Sequence, residues 1–332
     1  MRTLCFVLII LLFYSLFIVY KNKSDIIQLN KFDLNTLQPL KGILIILVMM
    51  SHLTQYFKFD IVKDIAYNGP YANSVFFFIS GYGLYKSYVT KTKYLDHFLM
   101  NRLKKLLPPL IIVTIVFLIY RFSFENYQLS DIIQSIKKGG TLTPYTWFIY
   151  AIIIYYVFFF IIFKHIRTQA KAIFALFIFI FAYIWMIKLL NWSAYWYNSS
   201  LCFPLGFVYF HYEHTALKLY NKKYFKLLCI IYSIYILLLL YCMIGTFMNW
   251  PAKGTIIYNM IPLFILPIIY TLNIGKSHFL NFTGKISYQL YIVHGIFIYF
   301  FRYKHDLISM SLIIISSYLV AFILQKTCSL KC

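Results

Sequence analysis

Eleven apolar runs, most of them close to the length that crosses a bilayer, occupy most of this chain and leave few folds open to it. They fall at residues 3–20, 40–57, 71–89, 107–120, 145–163, 170–187, 194–210, 227–248, 255–272, 284–301 and 307–325. With no water in the hydrocarbon core, each backbone N–H and C=O must be paired inside the protein, so runs of this length become helices. The expected fold is an all-α polytopic transmembrane helix bundle, with about ten core helices plus one N-terminal helix. A mean hydropathy of +0.75 and 62% hydrophobic residues exclude the soluble classes. The 107–120 run is short for a core of about 30 Å and is expected to continue past Arg121; the 194–210 run is rich in Tyr and Trp and is the least regular.

Charge orients the bundle. The formal net charge of +22 comes from 31 basic and 9 acidic residues spread through the connections, which reads as a topology signal and excludes a nucleic-acid partner. About two thirds of the Lys and Arg residues follow odd-numbered runs, so the N-terminus is expected outside and the C-terminus in the cytoplasm of a multi-pass protein of the cell (plasma) membrane. The first run has only Arg2 as a basic region and no small-x-small cleavage pattern. Residues 1–34 are therefore expected to be an uncleaved anchor with its cytoplasmic linker, 35–326 the transmembrane domain and 327–332 a cytoplasmic tail. The six cysteines, Cys5, Cys202, Cys229, Cys242, Cys328 and Cys332, form no C-x-x-C pair, so neither a disulfide framework nor a metal site is expected.

Polar residues inside apolar runs carry the functional signal, because an ionisable side chain within a bilayer is costly to keep there. His52 lies near the far end of the 40–57 run, and Lys41 precedes it on the same helical face, roughly 16 Å away at about 1.5 Å per residue. Asn73-Ser74-Val75-Phe76-Phe77-Phe78-Ile79-Ser80-Gly81-Tyr82-Gly83 mixes aromatics with small residues that admit a close neighbour, either another helix or a ligand. Arg102, Lys104 and Lys105 form a basic segment before Pro108-Pro109, and Arg102 and Lys105 share a face suited either to phosphate oxygens or to lipid headgroups. Late in the chain, Gly284, Ser287, Tyr288, Tyr291, His294 and Gly295 fall on one polar face of a helix. Glu213, flanked by His211 and His214, is expected to be solvated at a span end.

In this order, the segments resemble the acyltransferase-3 family of integral membrane acyltransferases, from about Asn35 to Lys326. Lys41, Gly42 and His52 match the family's basic-Gly-apolar-His span, with lysine in place of the usual arginine. Phe76, Phe77, Ser80, Gly81 and Tyr82 match its Phe-Phe-x-x-Ser-Gly-Tyr pattern. Arg102 and Lys105 before Pro108 match its R-x-x-R segment, and Ile286, Ser287, Tyr288, Tyr291 and His294 its late Ile-Ser-Tyr-x-x-Tyr-x-x-His pattern. Trp147 and Phe148 also look like the family's Trp-Phe.

The resemblance implies an acyl-CoA-dependent O-acyltransferase. Such an enzyme moves an acyl group, usually acetyl, from cytoplasmic acetyl-CoA to a hydroxyl of a cell-surface or exported carbohydrate, a polysaccharide or glycolipid. Acetyl-CoA is then a donor substrate, and no permanently bound cofactor is expected. His52, with an unperturbed imidazole pKa of about 6.5, is the candidate base or acyl acceptor. Arg102, Lys104 and Lys105 are expected to hold the CoA phosphates, and Lys41, grouped with His52 as a catalytic residue, to serve the donor side or to pair with a carboxylate. Gly42, Ser80, Gly81 and Gly83 are expected to leave room for the pantetheine arm, and Tyr82, Tyr288, Tyr291 and His294 to donate to the developing oxyanion. Asp60 and Asp64 are the acids nearest to His52 that could orient it. A rival reading is a transporter or flippase of a surface glycolipid, in which His52 and His294 form a proton relay.

Overall fold

A computed structural model of the protein describes residues 34–57, 69–219, 258–262, 277–304 and 306–329. The expected runs at 3–20 and 227–248, most of 255–272, and Asp60 and Asp64 lie outside the described residues. What is described is helical and runs back and forth across the bundle. The helices are α1 (Leu34–Leu53), α2 (Gly69–Thr90), α3 (Phe98–Phe124), α4 (Leu129–Lys137), α5 (Trp147–His165), α6 (Gln169–Leu189), α7 (Cys202–Leu219), α8 (His278–Lys285), α9 (Ser287–Phe300) and α10 (Leu307–Ser329), with a 3-10 turn at Ala194–Trp196. Among the described residues, α3, α5, α6 and α10 are long and apolar enough to cross a membrane.

Two ends follow from this alternation. Lys41, the start of α3, the end of α5 and the start of α9 share a basic end. His52, the start of α2, the loops on either side of α4, the start of α5 and the end of α9 share a histidine end. Outer faces are apolar: Phe174, Ile178, Phe181 and Trp185 of α6 are exposed at helical spacing, the stripe a helix presents to lipid. The centre is aromatic, with Phe77, Tyr155, Phe159, Phe203 and Phe207 buried and in mutual contact; each such pair contributes about 0.5–1.5 kcal/mol beyond its area.

Two close crossings fix the helices that carry the polar motifs. α2 meets α7 where Gly81 faces the Phe203 carbonyl and Gly206 faces the Phe78 carbonyl. α1 meets α8 where Gly42 faces the Leu280 carbonyl and Gly284 the Gln38 carbonyl. A side chain at any of these positions would strike backbone, so the spaces at Gly42 and Gly81 expected to admit a pantetheine arm are filled by neighbouring helices. Gly83 has nothing within 4 Å of where a side chain would begin.

Other departures have local causes. α3 starts at Phe98, ahead of the apolar run expected from 107, so the basic segment forms its first two turns; at a helix end the long cationic side chains reach solvent. Residues 194–201 fold as a turn because Asn198, Ser199 and Ser200 interrupt the apolar pattern, and α7 begins only at Cys202. The connection between α3 and α5 contains α4, on which Leu129, Ile132, Ile133 and Ile136 follow helical spacing. Leu129, Ile133 and Ile136 are exposed, as in a helix lying along the membrane surface. α10 continues into the expected tail as far as Ser329.

At the histidine end, a carboxylate clamps α3 to α9. Glu125 accepts from Arg121 Nε at 3.0 Å, from Arg302 Nη2 at 3.1 Å and from the Tyr299 hydroxyl. Burial alone would raise the Glu125 pKa, but the hydrogen bonds from Tyr299, Arg302 and Arg121 hold it below the ordinary glutamate value. A group with a depressed folded pKa contributes stability that is present above the unfolded value, about 4.3, and is lost as pH falls through the folded one. Glu125→Gln is therefore expected to lower the melting temperature of the detergent-solubilised protein by a few degrees at pH 7. The gap between the two proteins should close as the buffer is taken below about pH 4; a gap that is unchanged in acid would show that the carboxylate charge is not what holds the clamp.

Candidate active site

The last turn of α1 places His52 against the middle of α9, where His294 is fully buried. His52 Nδ1 lies 2.8 Å from His294 Nε2, and the two rings are within 4° of coplanar. His294 Nδ1 lies 2.9 Å from the Leu290 carbonyl. A carbonyl only accepts, so His294 Nδ1 carries the proton and, in the neutral ring, His294 Nε2 is the acceptor. His52 Nδ1 must then donate, and the lone pair of His52 Nε2 has no partner among the described residues. Among the described residues, the partner of His52 Nδ1 is an imidazole; Asp60 and Asp64, the acids considered from sequence, lie outside them.

A third ring completes the arrangement. Tyr145 stacks on His52 with centroids 4.0 Å apart and planes 16° apart. Its hydroxyl donates to Gln55 Oε1 at 3.1 Å and lies 3.4 Å from the Tyr56 hydroxyl.

His52 opens on a cavity of about 610 Å³ at the histidine end, within the usual range for small-molecule sites. Tyr145, Trp147, Tyr195 and Tyr258 give it aromatic walls, and Gln55, Asn73, Asn198 and Ser199 line it with amides and a hydroxyl. The wall is braced from behind: Ser74 Oγ and Ser199 Oγ are 2.8 Å apart, and Asn259 Nδ2 donates to the Asn198 carbonyl at 2.7 Å. Asn73 is 6% exposed, and its Oδ1 has no hydrogen-bond partner among the described residues.

At the basic end, Lys41 is half-buried and within electrostatic reach of the Arg102 guanidinium. Arg102 lies over the rings of Phe98 and Tyr156 and donates to the Tyr94 hydroxyl at 3.3 Å. Lys104 and Lys105 are exposed on the same end of α3. Lys41 thus sits with Arg102, at the opposite end of α1 from His52.

The tyrosines of the two motifs are placed differently from the oxyanion role expected of them. The Tyr82 hydroxyl donates to Glu213 at 2.9 Å, and Glu213 is buried between α2 and α7 rather than solvated. The Tyr288 hydroxyl donates to the Leu106 carbonyl at 2.5 Å, in the turn weakened by Pro108 and Pro109. Tyr291 packs edge-on to His294 and against Phe148. Ser80, Tyr82, Tyr288 and Tyr291 do not line the cavity. Sequence reasoning missed Tyr145 and Gln55, and it named Asn73 only as the start of the Ser- and Gly-containing stretch without giving it a role. Asn73 could have been singled out as an amide inside an apolar run; Tyr145 could not, since its place over His52 depends on a left-handed backbone with φ 62°.

Fold and site together define a polytopic helical membrane protein with a coplanar histidine pair at the edge of a polar, aromatic-walled cavity. The chain belongs to the acyltransferase-3 family: the family profile, described as an acyltransferase domain, matches residues 34–325. No curated protein and no solved structure matches it.

Proposed function

We propose that this membrane acyltransferase moves an acetyl group from acetyl-CoA, bound at the basic end, to a hydroxyl of a carbohydrate held in the cavity at the histidine end. The observation that carries this reading is His52, engaged by His294 through Nδ1, lining a cavity whose walls pair aromatic faces with amides and hydroxyls. Aromatic rings cover the C–H faces of a sugar, and amides bond its hydroxyls. Lys41, Arg102, Lys104 and Lys105 supply the cations for the phosphates of CoA. The charge asymmetry of the loops supports the basic end as cytoplasmic and the histidine end as outer, so donor and acceptor meet within the bundle.

In this reaction, His52 Nε2 takes the proton of the acceptor hydroxyl while its oxygen attacks the thioester carbonyl. The C–S bond then breaks and the imidazolium returns the proton to the departing thiolate, leaving an O-acetyl ester and CoA. His294 holds the Nδ1–H tautomer of His52 throughout. The rival proton-relay reading has a difficulty here, because the chain of hydrogen bonds ends on the Leu290 carbonyl, which has no proton to pass on.

The test is transfer of radiolabelled acetyl from acetyl-CoA into surface glycan by membranes containing the protein or its His52→Ala variant. Label that requires both CoA donor and His52 is expected; no donor-dependent label across the native glycans would overturn the reading. Asn73→Leu is expected to raise the acceptor KM by about 10-fold with little change in kcat, because it removes a ground-state hydrogen bond to the sugar. An unchanged acceptor KM would place the sugar away from α2.

A further inference from the structure

We infer that Tyr145 is a positioning residue for His52, fixing the plane of its imidazole and covering one face of the cation that forms when it takes a proton. This rests on the reading of His52 as the base. The hydrogen bond between His52 Nδ1 and His294 fixes one direction only, since the ring can still turn about the line joining the two nitrogens. Stacking at 4.0 Å removes that freedom, and Nε2 is then held towards the cavity. The same contact places the electron-rich face of a phenol against the ring that becomes positive, the arrangement a cation–π interaction requires.

Tyr145 itself is held in an unusual way. Its φ of 62° lies in the left-handed region that side chains other than glycine rarely adopt, and such a conformation persists only where its surroundings over-determine it. Here they do. Thr141 Oγ1 donates to the Thr143 carbonyl at 2.7 Å, Thr146 Oγ1 donates to that same carbonyl at 2.9 Å, and the Tyr145 hydroxyl is tied to Gln55 just beyond α1. The Pro144 carbonyl sits against Gly295, where a Cβ would strike it at 2.5 Å. The loop is therefore seated on α9 beside His294 and fastened to the end of α1, so the residue over His52 keeps its registry with both histidine helices.

The experiment uses the full chain in nanodiscs, radiolabelled acetyl-CoA, and an extract of the cell's surface glycan titrated as acceptor, with rates expressed per folded molecule from size-exclusion. Tyr145→Leu is expected to lower kcat by about 30-fold or more while acceptor KM moves less than about 3-fold, since orientation and cation stabilisation are both lost. Tyr145→Phe, which keeps the ring, is expected to recover to within about 5-fold of the parent. A Leu variant as active as the parent beside an inactive His52→Ala would overturn the proposal alone. A Leu variant changed only in acceptor KM would overturn it in favour of a sugar-contacting wall residue. An active His52→Ala would remove the base reading and this proposal together.

Discussion

His52→Ala is expected to lower acetyl transfer by about 10³-fold or more without loss of folded protein, because a positioned base supplies roughly 10² to 10⁴ of the rate in reactions of this kind. His294 should show a graded response that depends on what replaces it. His294→Gln keeps a carbonyl oxygen able to accept from His52 Nδ1, so the tautomer with a free Nε2 survives and about a tenth or more of the activity is expected to remain. His294→Leu accepts nothing; His52 then loses its orientation and its fixed tautomer, and a fall of about 10²-fold is expected. Initial rates at saturating acetyl-CoA and glycan, normalised to folded protein, separate these cases. The order His52→Ala below His294→Leu below His294→Gln identifies His52 as the base and His294 as its holder. If both His294 variants are inactive and His52→Ala retains activity, the roles are reversed.

Much of this architecture is legible in the sequence because lipid simplifies the problem. α2, α5, α6 and α10 begin and end within a few residues of the apolar runs, since hydropathy and length alone decide them. What hydropathy does not carry is where a helix continues beyond the membrane or breaks inside it. α3 extends through Arg102 and Lys105 because charged residues with good helix propensity can start a helix in solvent, and α7 starts late because polar residues at 198–200 prefer a turn. The site is half legible for a similar reason. His52 and His294 each stand out as ionisable groups in apolar runs, but they are 242 residues apart, and nothing local in either run names its partner. A carboxylate near His52 is the usual partner to look for, and Asp60 and Asp64 lie outside the described residues; what the described bundle sets against His52 Nδ1 is a second imidazole fixed by a backbone carbonyl. Tyr145 is further from reach, because its role comes from the conformation of a loop and not from its neighbours in the chain.

Gly206→Val is expected to abolish accumulation of folded protein, and Gly81→Ala to reduce it strongly, whereas Gly83→Ala two residues further along α2 is expected to be tolerated. The three substitutions add side chains to the same pair of helices and differ in what the new atoms meet and, at Gly206, in how many atoms are added. At Gly206 they meet the Phe78 carbonyl and, at 2.6 Å, the Tyr82 amide nitrogen, both backbone atoms of a helix interior that cannot move aside singly. Overpacking of this kind costs about 1–3 kcal/mol per small addition, against a total stability of about 5–15 kcal/mol, and valine adds three carbons at the closest point of the crossing. At Gly83 there is nothing within 4 Å, and alanine gains roughly 0.5–1 kcal/mol over glycine in a helix. Size-exclusion of the detergent-solubilised variants measures the folded fraction, and labelled acetyl transfer measures the activity of what remains. Loss of the folded peak in Gly81→Ala with normal activity in the residue that survives assigns the Ser-Gly-Tyr motif to helix packing. A well-folded but inactive Gly81→Ala would instead return Gly81 to the donor path, because only a substrate threaded through the crossing would notice a methyl group that the fold does not.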